Sequence, residues 1–327
     1  MNTQIDKSNL RQVIIDSPQQ LGVGLEIAKD IKIEGEFKYL VVSGMGGSAL
    51  PVEILKNHLV ENDLEIFNNR TYSIPKKYHQ GALHFISSYS GNTEETISCL
   101  QEVIQNNLKA IVFTNGGKIL EMAKKNNIPI VEIPECIQPR YATGYFVSSM
   151  LKVLSNSNLT ENQDSAILDI QEYLPAKIAS FEEKGHILAK KLVGKTPIIY
   201  STAEYRSVAM ILKIKINENA KTPAFWNVYP ELNHNEMVGW TLAQGKFHIL
   251  TFLDKNNPKI EKRMEITSRL LQEKGIETDF IEIEGNDKLT SIFTALAMSD
   301  WISYYLSIEY GQDPTPVDMV EKLKNLL

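Results

Sequence analysis

The sequence predicts an α/β protein of two domains of one kind, each a parallel sheet flanked by helices in three layers, related by duplication. Three observations point there. Short apolar runs recur, each followed by a turn and then a helical pattern. The same order of runs and helices returns in the second half. A polar, turn-prone stretch, residues 155–160 (SNSNLT), separates the halves.

The elements follow in order. Residues 38–43 (KYLVVS) form an apolar run ending in glycines, which reads as a buried parallel strand and its turn. A helical pattern with Leu50, Val52, Ile54 and Leu55 comes next. Residues 83–87 (LHFIS) give a second strand, 88–93 (SYSGNT) its turn, and Glu94-Glu95-Thr96 opens a helix. A strand at 110–114, a helix from Lys118 and a strand at 130–133 complete the first half. In the second half, 197–201 (PIIYS) matches the first strand and 207–216 its helix. The run 247–252 mirrors 84–86, and a helix at 259–274 leads to a strand at 279–283. Residues 161 to about 192 read as linking helices. Residues 1–155 are therefore expected to form the first domain with an N-terminal helix, and 156–327 the linking helices, second domain and C-terminal helix.

Composition narrows the function. The chain has 327 residues, 43% of them hydrophobic, enough for a core in each domain. A net charge of −6 with no basic run argues against a nucleic-acid partner. No apolar run approaches the roughly 18 residues that span a bilayer, and residues 1–21 hold no apolar signal core. The two cysteines, Cys99 and Cys136, lack metal spacing, and so few cysteines fit a reducing cytosol. A cytoplasmic protein with no membrane partner is expected.

Two turns suit an anion. Gly44-Met45-Gly46-Gly47-Ser48 lies between a strand and a helix, where glycines let backbone approach a ligand and the helix start offers free N–H groups. The turn after the next strand supplies Ser88, Ser90 and Thr93 and another helix start. In a parallel sheet both lie at the carboxyl ends of strands, where ligands bind. Hydroxyls and amides without a lysine suit a phosphomonoester held by hydrogen bonds, with no metal. The first turn also satisfies G-x-G-x-x-A through Gly44, Gly46 and Ala49, a dinucleotide fingerprint that is weak alone. Asp63 and Glu65 lie near the distance of a ribose-binding acid, but Asp63 precedes the run 64–67 instead of ending a strand, and the hydroxyl turn has no role in that scheme. No cofactor is expected. The equivalent turn of the second half, residues 202–206 (TAEYR), has no glycine, so the first domain is read as the builder of the anion site.

Residues 218–240 (ENAKTPAFWNVYPELNHNEMVGW) are too polar for a core and too aromatic for a linker. Glu218 opens the stretch and His234 lies in its ELNHNE run. Carboxylate and imidazole are the side chains most used to move protons near neutral pH. Glu231 and Glu236 either orient His234 or stand solvated. The other histidines are scattered, and Trp301, Tyr304 and Tyr305 read as core or dimer contacts.

GMGGS at 44–48, SYSGNTEET at 88–96, PR at 139–140, NENAK at 217–221 and PELNHNEMVGW at 230–240 together resemble the bifunctional phosphoglucose/phosphomannose isomerases, which carry sugar isomerase (SIS) domains. The resemblance covers most of the chain. It implies two SIS domains, a homodimer, and metal-free interconversion of aldose and ketose hexose 6-phosphates. It implies that Gly46, Gly47, Ser48, Ser88, Ser90 and Thr93 bind the phosphate. Glu218 would move the proton between C2 and C1 through a cis-enediolate, and Arg140 would stabilise the enediolate charge. His234, entering from the partner subunit, would open the sugar ring. A lysine of the C-terminal helix would also reach the site. Val317, Val320, Lys324 and Leu327 share a helical face with Lys322 opposite, which favours Lys324. The alternatives are a non-catalytic sugar-phosphate sensor and an SIS isomerase of another sugar phosphate. A sensor needs only the hydroxyl turns, so Glu218 with His234 favours the enzyme.

Overall fold

The computed structural model describes residues 4–324 and Leu326. The chain opens with helices α1 (Leu10–Asp16) and α2 (Gln19–Ile27) and then alternates: β1 (Tyr39–Gly44), α3 (Leu50–His58), β2 (Glu65–Asn69), β3 (Ala82–Ser87), α4 (Glu94–Gln105), β4 (Ala110–Thr114), α5 (Gly117–Lys125), β5 (Ile130–Glu132). Three helices follow, α6 (Thr143–Asn156), α7 (Asp164–Tyr173) and α8 (Ile178–Leu192). The second run is β6 (Thr196–Thr202), α9 (Arg206–Asn219), β7 (Phe225–Tyr229), α10 (Glu236–Gly239), β8 (Phe247–Leu253), α11 (Pro258–Gln272), β9 (Glu277–Glu282), α12 (Lys288–Glu309) and α13 (Asp318–Lys324). No helix among the described residues is long and apolar enough to cross a membrane.

Both sheets are wholly parallel. The first has the order β2-β1-β3-β4-β5 and the second β7-β6-β8-β9. The strand order reverses between β1 and β3, and again between β6 and β8, which is the repeat expected of a duplication. In such sheets the loops after the two strands at the reversal part and leave a crevice. The turns holding Ser48 and Ser88 follow β1 and β3, the two strands at that point of the first sheet. Leu40, Val41 and Val42 of β1 and Leu83, Phe85 and Ile86 of β3 are fully buried, as strands covered on both faces must be.

Compact packing divides the chain into Asp16–Pro175 and a second unit made of the chain before and after it. The division differs from the expected boundary near 155. The polar stretch there is only the end of α6, and Asn156 Nδ2 donates to the carbonyls of Ala28, Lys29 and Ile31 within the first unit. α7 belongs to the first unit, where Gln171 Oε1 accepts the Gly22 amide at 2.8 Å. α8 belongs to the second, and so does α1. Arg11 donates to Glu182 on α8 through Nε at 2.6 Å and Nη2 at 2.7 Å, and the Asp6 carboxylate that caps α1 accepts Tyr304 Oη at 3.2 Å. Trp301 and Tyr304 are core residues of that unit. β2 and β7, not assigned from sequence, are half-exposed edge strands whose mixed residues give no continuous apolar run.

α9 and α12 meet across a polar seam in an otherwise apolar interior. Lys215 pairs with Asp300, both nearly excluded from solvent, and Asn219 Nδ2 donates to Ser303 Oγ at 2.9 Å. Breaking a buried ion pair from one side strands the other charge. Lys215→Met is therefore expected to cost about 3–5 kcal/mol in urea unfolding. The double variant Lys215→Met/Asp300→Leu should recover much of that loss. A single variant as stable as wild type would contradict the role given to the pair.

Candidate active site

The turn after β1 is shaped by backbone contacts. Gly46 has φ +51°, and Gly46–Ala49 forms a single 3-10 turn that runs into α3. A Cβ on Gly47 would lie 2.6 Å from the Arg140 amide nitrogen and 2.7 Å from the Pro139 carbonyl carbon. Glycine at 47 thus lets the Pro139–Tyr141 turn press against the loop, which seats Arg140 beside it. Arg140 is 1% exposed, with its guanidinium carbon 5.4 Å from the Tyr141 ring centroid.

Ser48 ties the two hydroxyl turns together. Its Oγ accepts the Tyr89 amide at 2.8 Å, and its carbonyl accepts Ser87 Oγ at 2.8 Å. Within the second turn, Ser88 Oγ lies 3.1 Å from Thr93 Oγ1 and accepts the Gly91 amide at 3.2 Å. Ser90 is exposed, and its Oγ accepts the Asn92 amide at 3.3 Å. Thr93 stands at the N-cap of α4 without using its side chain as a cap, so the first amides of that helix keep their donors for another acceptor. Tyr89 Oη donates to the Cys136 carbonyl at 2.9 Å and pins the turn from the far side. Gly46, Gly47, Ser48, Ser88, Ser90, Thr93 and Arg140 therefore gather in one unit, around a cluster of amides and hydroxyls. β2 ends at Asn69, whose Nδ2 donates to Ser43 Oγ at 3.2 Å, so the strand does not end in the acidic residue of the dinucleotide fingerprint.

The remaining candidates lie in the other unit. Glu218 occupies the last turn of α9, beyond the expected helix at 207–216, because the helical pattern continues until Lys221 adopts φ +56°. Its neighbours are engaged structurally. Asn217 Nδ2 donates to the Thr222 carbonyl at 2.8 Å, Asn219 to Ser303, and Lys221 Nζ to the Glu218 carbonyl at 2.5 Å. Glu218 is half-buried. His234 ends the 3-10 turn Glu231–His234, is exposed, and its ring makes no hydrogen bond among the described residues. It does not pair with Glu218.

Lys324 is exposed and donates to Glu321 at 2.8 Å. α13 buries no residue, so the shared face that favoured Lys324 over Lys322 is not a packed face; Leu327 lies outside the described residues. Glu236 is the residue that sequence reading left open. Its carboxylate accepts from Tyr200 and Asn227, and the Tyr200 contact spans 36 residues that no spacing rule links.

The family model for the bacterial phospho-glucose isomerase C-terminal SIS domain matches residues 181–327. A bifunctional phosphoglucose/phosphomannose isomerase of Aquifex aeolicus is 34% identical over 92% of this chain and 93% of its own. One from Caldicellulosiruptor bescii is 34% identical over 96% and 97%. Among solved structures, a glucose-6-phosphate isomerase like protein from Thermus thermophilus superposes with a TM-score of 0.65 at 14% identity, over 99% of this chain and 97% of that one. This last likeness concerns the fold.

The hydroxyl turns give a direct test. Ser48→Ala removes a hydroxyl and the tie to Tyr89, and Thr93→Ala removes the partner of Ser88. Each is expected to weaken binding of a phosphomonoester by about 1.5–3 kcal/mol, read by calorimetry on folded protein. Unchanged affinity in both would remove these turns from the site.

Proposed function

We propose that this chain, which belongs to the bifunctional phosphoglucose/phosphomannose isomerase family, interconverts fructose 6-phosphate with glucose 6-phosphate and with mannose 6-phosphate. The observation that carries the reading is the Ser48–Tyr89 tie. It holds two hydroxyl-bearing turns together at the carboxyl ends of β1 and β3, beside the Pro139–Tyr141 turn. A phosphomonoester accepts hydrogen bonds from several directions, and amides, hydroxyls and a helix start supply them.

The residues divide the chemistry. Gly46, Gly47, Ser48, Ser88, Ser90 and Thr93 hold the phosphate. The hydrogen at C2, beside a carbonyl, is a weak acid, so the base must be aimed and the forming oxyanion neutralised. Glu218 takes that proton and returns it to C1, and Arg140 stabilises the cis-enediolate. Glucose and mannose 6-phosphates differ only at C2 and share this intermediate. Turning the enediolate about C2–C3 presents its other face to the same carboxylate. His234 shuttles a proton between the anomeric hydroxyl and the ring oxygen, opening the ring. A lysine of α13, Lys324 in this reading, supplies further positive charge. No step calls on a metal or a cofactor.

The enzyme works as a homodimer in the cytoplasm, with His234 acting in the partner's site. Three features support the dimer. His234 is exposed, and Val238 and Leu242 on the same segment are 73% and 75% exposed. Apolar side chains beside a candidate catalytic imidazole are the composition of a face that another copy covers.

Purified protein given fructose 6-phosphate should form both aldose phosphates. Glu218→Gln should abolish both products together, since both epimers use one base. His234→Ala should keep the small rate set by open-chain substrate. Mixed Glu218→Gln and His234→Ala subunits should regain activity, because one site of each heterodimer is intact. No recovery in verified heterodimers would place both residues in the site of one subunit. Loss of only one product in Glu218→Gln would contradict a shared base.

A further inference from the structure

Nearly every polar side chain around His234 is already engaged. Asn233 Nδ2 donates to Thr267 Oγ1 on α11 at 2.9 Å. Asn235 Oδ1 accepts the Glu236 amide at 2.5 Å and its Nδ2 donates to Glu231 Oε1 at 2.8 Å. Glu236, two residues beyond His234, turns inward. Its Oε1 accepts the hydroxyl of Tyr200 on β6, and its Oε2 accepts Asn227 Nδ2 on β7 at 2.5 Å. The Tyr200 hydroxyl also accepts Trp240 Nε1 at 3.1 Å. One carboxylate therefore fastens the segment to two neighbouring strands, and Trp240 fastens its far end to the same hydroxyl.

The parts of this clamp have fixed roles. Tyr200 is fully buried, and burial together with the Glu236 charge holds its pKa far above the usual phenol value, so it stays a donor. Asn227 cannot exchange its oxygen for its nitrogen without loss, because its Oδ1 accepts the Val228 amide at 2.8 Å. The acceptor pair must then come from a carboxylate. An amide at 236 would set its NH2 against that of Asn227 or against the Tyr200 hydroxyl.

We propose that Glu236 is a positioning residue of the isomerase, the clamp through which β6 and β7 fix where the His234 imidazole stands. The proposal rests on the reading of His234 as the group that opens the sugar ring. An exposed imidazole on a short 3-10 turn has no bond of its own to hold it among the described residues. The backbone two residues away is where its position can be set. Ring opening needs the imidazole to reach both the anomeric hydroxyl and the ring oxygen, so a small displacement is felt strongly.

The test separates ring opening from isomerisation. Fructose 6-phosphate is mostly cyclic. 5-Deoxyfructose 6-phosphate lacks the hydroxyl that closes the ring and carries phosphate on the only other one, so it stays open while keeping the spacing from phosphate to C2. Full-length Glu236→Gln, Tyr200→Phe and His234→Ala enzymes are compared on both, by kcat/KM and by exchange of the C1 hydrogen with solvent. For Glu236→Gln the account expects a loss of about 10²-fold on fructose 6-phosphate, the scale of a 1 Å misplacement. Its value on the open analogue should stay near wild type. Tyr200→Phe keeps the buried ring, guards against a folding defect in the first variant, and should shift the ratio the same way. His234→Ala should show the same selectivity. Equal losses on both substrates, or no loss, in Glu236→Gln and Tyr200→Phe beside a selective His234→Ala would overturn the clamp and leave the role of His234 standing. An unselective His234→Ala would remove the ring-opening role and the clamp with it.

Discussion

Close approach of backbone to backbone is the constraint on which the turns at the carboxyl ends of β1, β3 and β4 depend. A Cβ on Gly91 would lie 1.7 Å from the Gly116 carbonyl oxygen, one on Gly44 2.7 Å from that of Ser87, and one on Gly47 2.6 Å from the Arg140 nitrogen. These contacts draw the turns after β1, β3 and β4 and the Pro139–Tyr141 turn into one cluster. No side chain could be inserted without parting them. The hydroxyls of Ser48, Ser88 and Thr93 ride on that framework. They hold their places through bonds to backbone amides and to one another, so a phosphate bound as proposed would meet donors that are already arranged.

The second unit keeps the strand order and gives up the constraint. The turn after β6 has no glycine, and Glu204 within it pairs with Lys288 at 3.2 Å. What this unit carries instead are the groups proposed for proton transfer, set on rigid supports. Glu218 stands at the end of a helix anchored through Lys215–Asp300 and Asn219–Ser303. His234 stands on a turn anchored through Glu236. On the proposed reading, phosphate binding falls to one unit and the acid–base groups to the other. A catalytic group held by its neighbours has less motion to lose when the substrate arrives.

Much of this was legible from residues alone, for reasons that vary by element. β1, β3, β4 and β8 are buried on both faces, and their largely apolar runs announce them. β2 and β7 are edge strands with mixed, half-exposed residues, so no such run marks them. Glu218 lies just past the helical pattern read for 207–216, and Asn217, Asn219 and Lys221 bond to the chain around them and complete the helix end. The domain division was misplaced by a polar stretch that is bound from within through Asn156, and by an N-terminal helix held to α8 through Arg11 and Glu182. The Glu236 clamp joins residues 36 apart in sequence, which only the pairing of β6 with β7 brings together.

The central claim is that one carboxylate, Glu218, serves both epimers. The direction from which C1 receives its proton tests it. With the base fixed and the cis-enediolate turned over between glucose and mannose, opposite faces of both carbons meet Glu218. In deuterium oxide, fructose 6-phosphate made from glucose 6-phosphate should carry deuterium in one prochiral position at C1. That made from mannose 6-phosphate should carry it in the other, as nuclear magnetic resonance would read. Deuterium in the same C1 position from both aldoses would mean that the two do not share one base and one cis-enediolate, and would contradict the account.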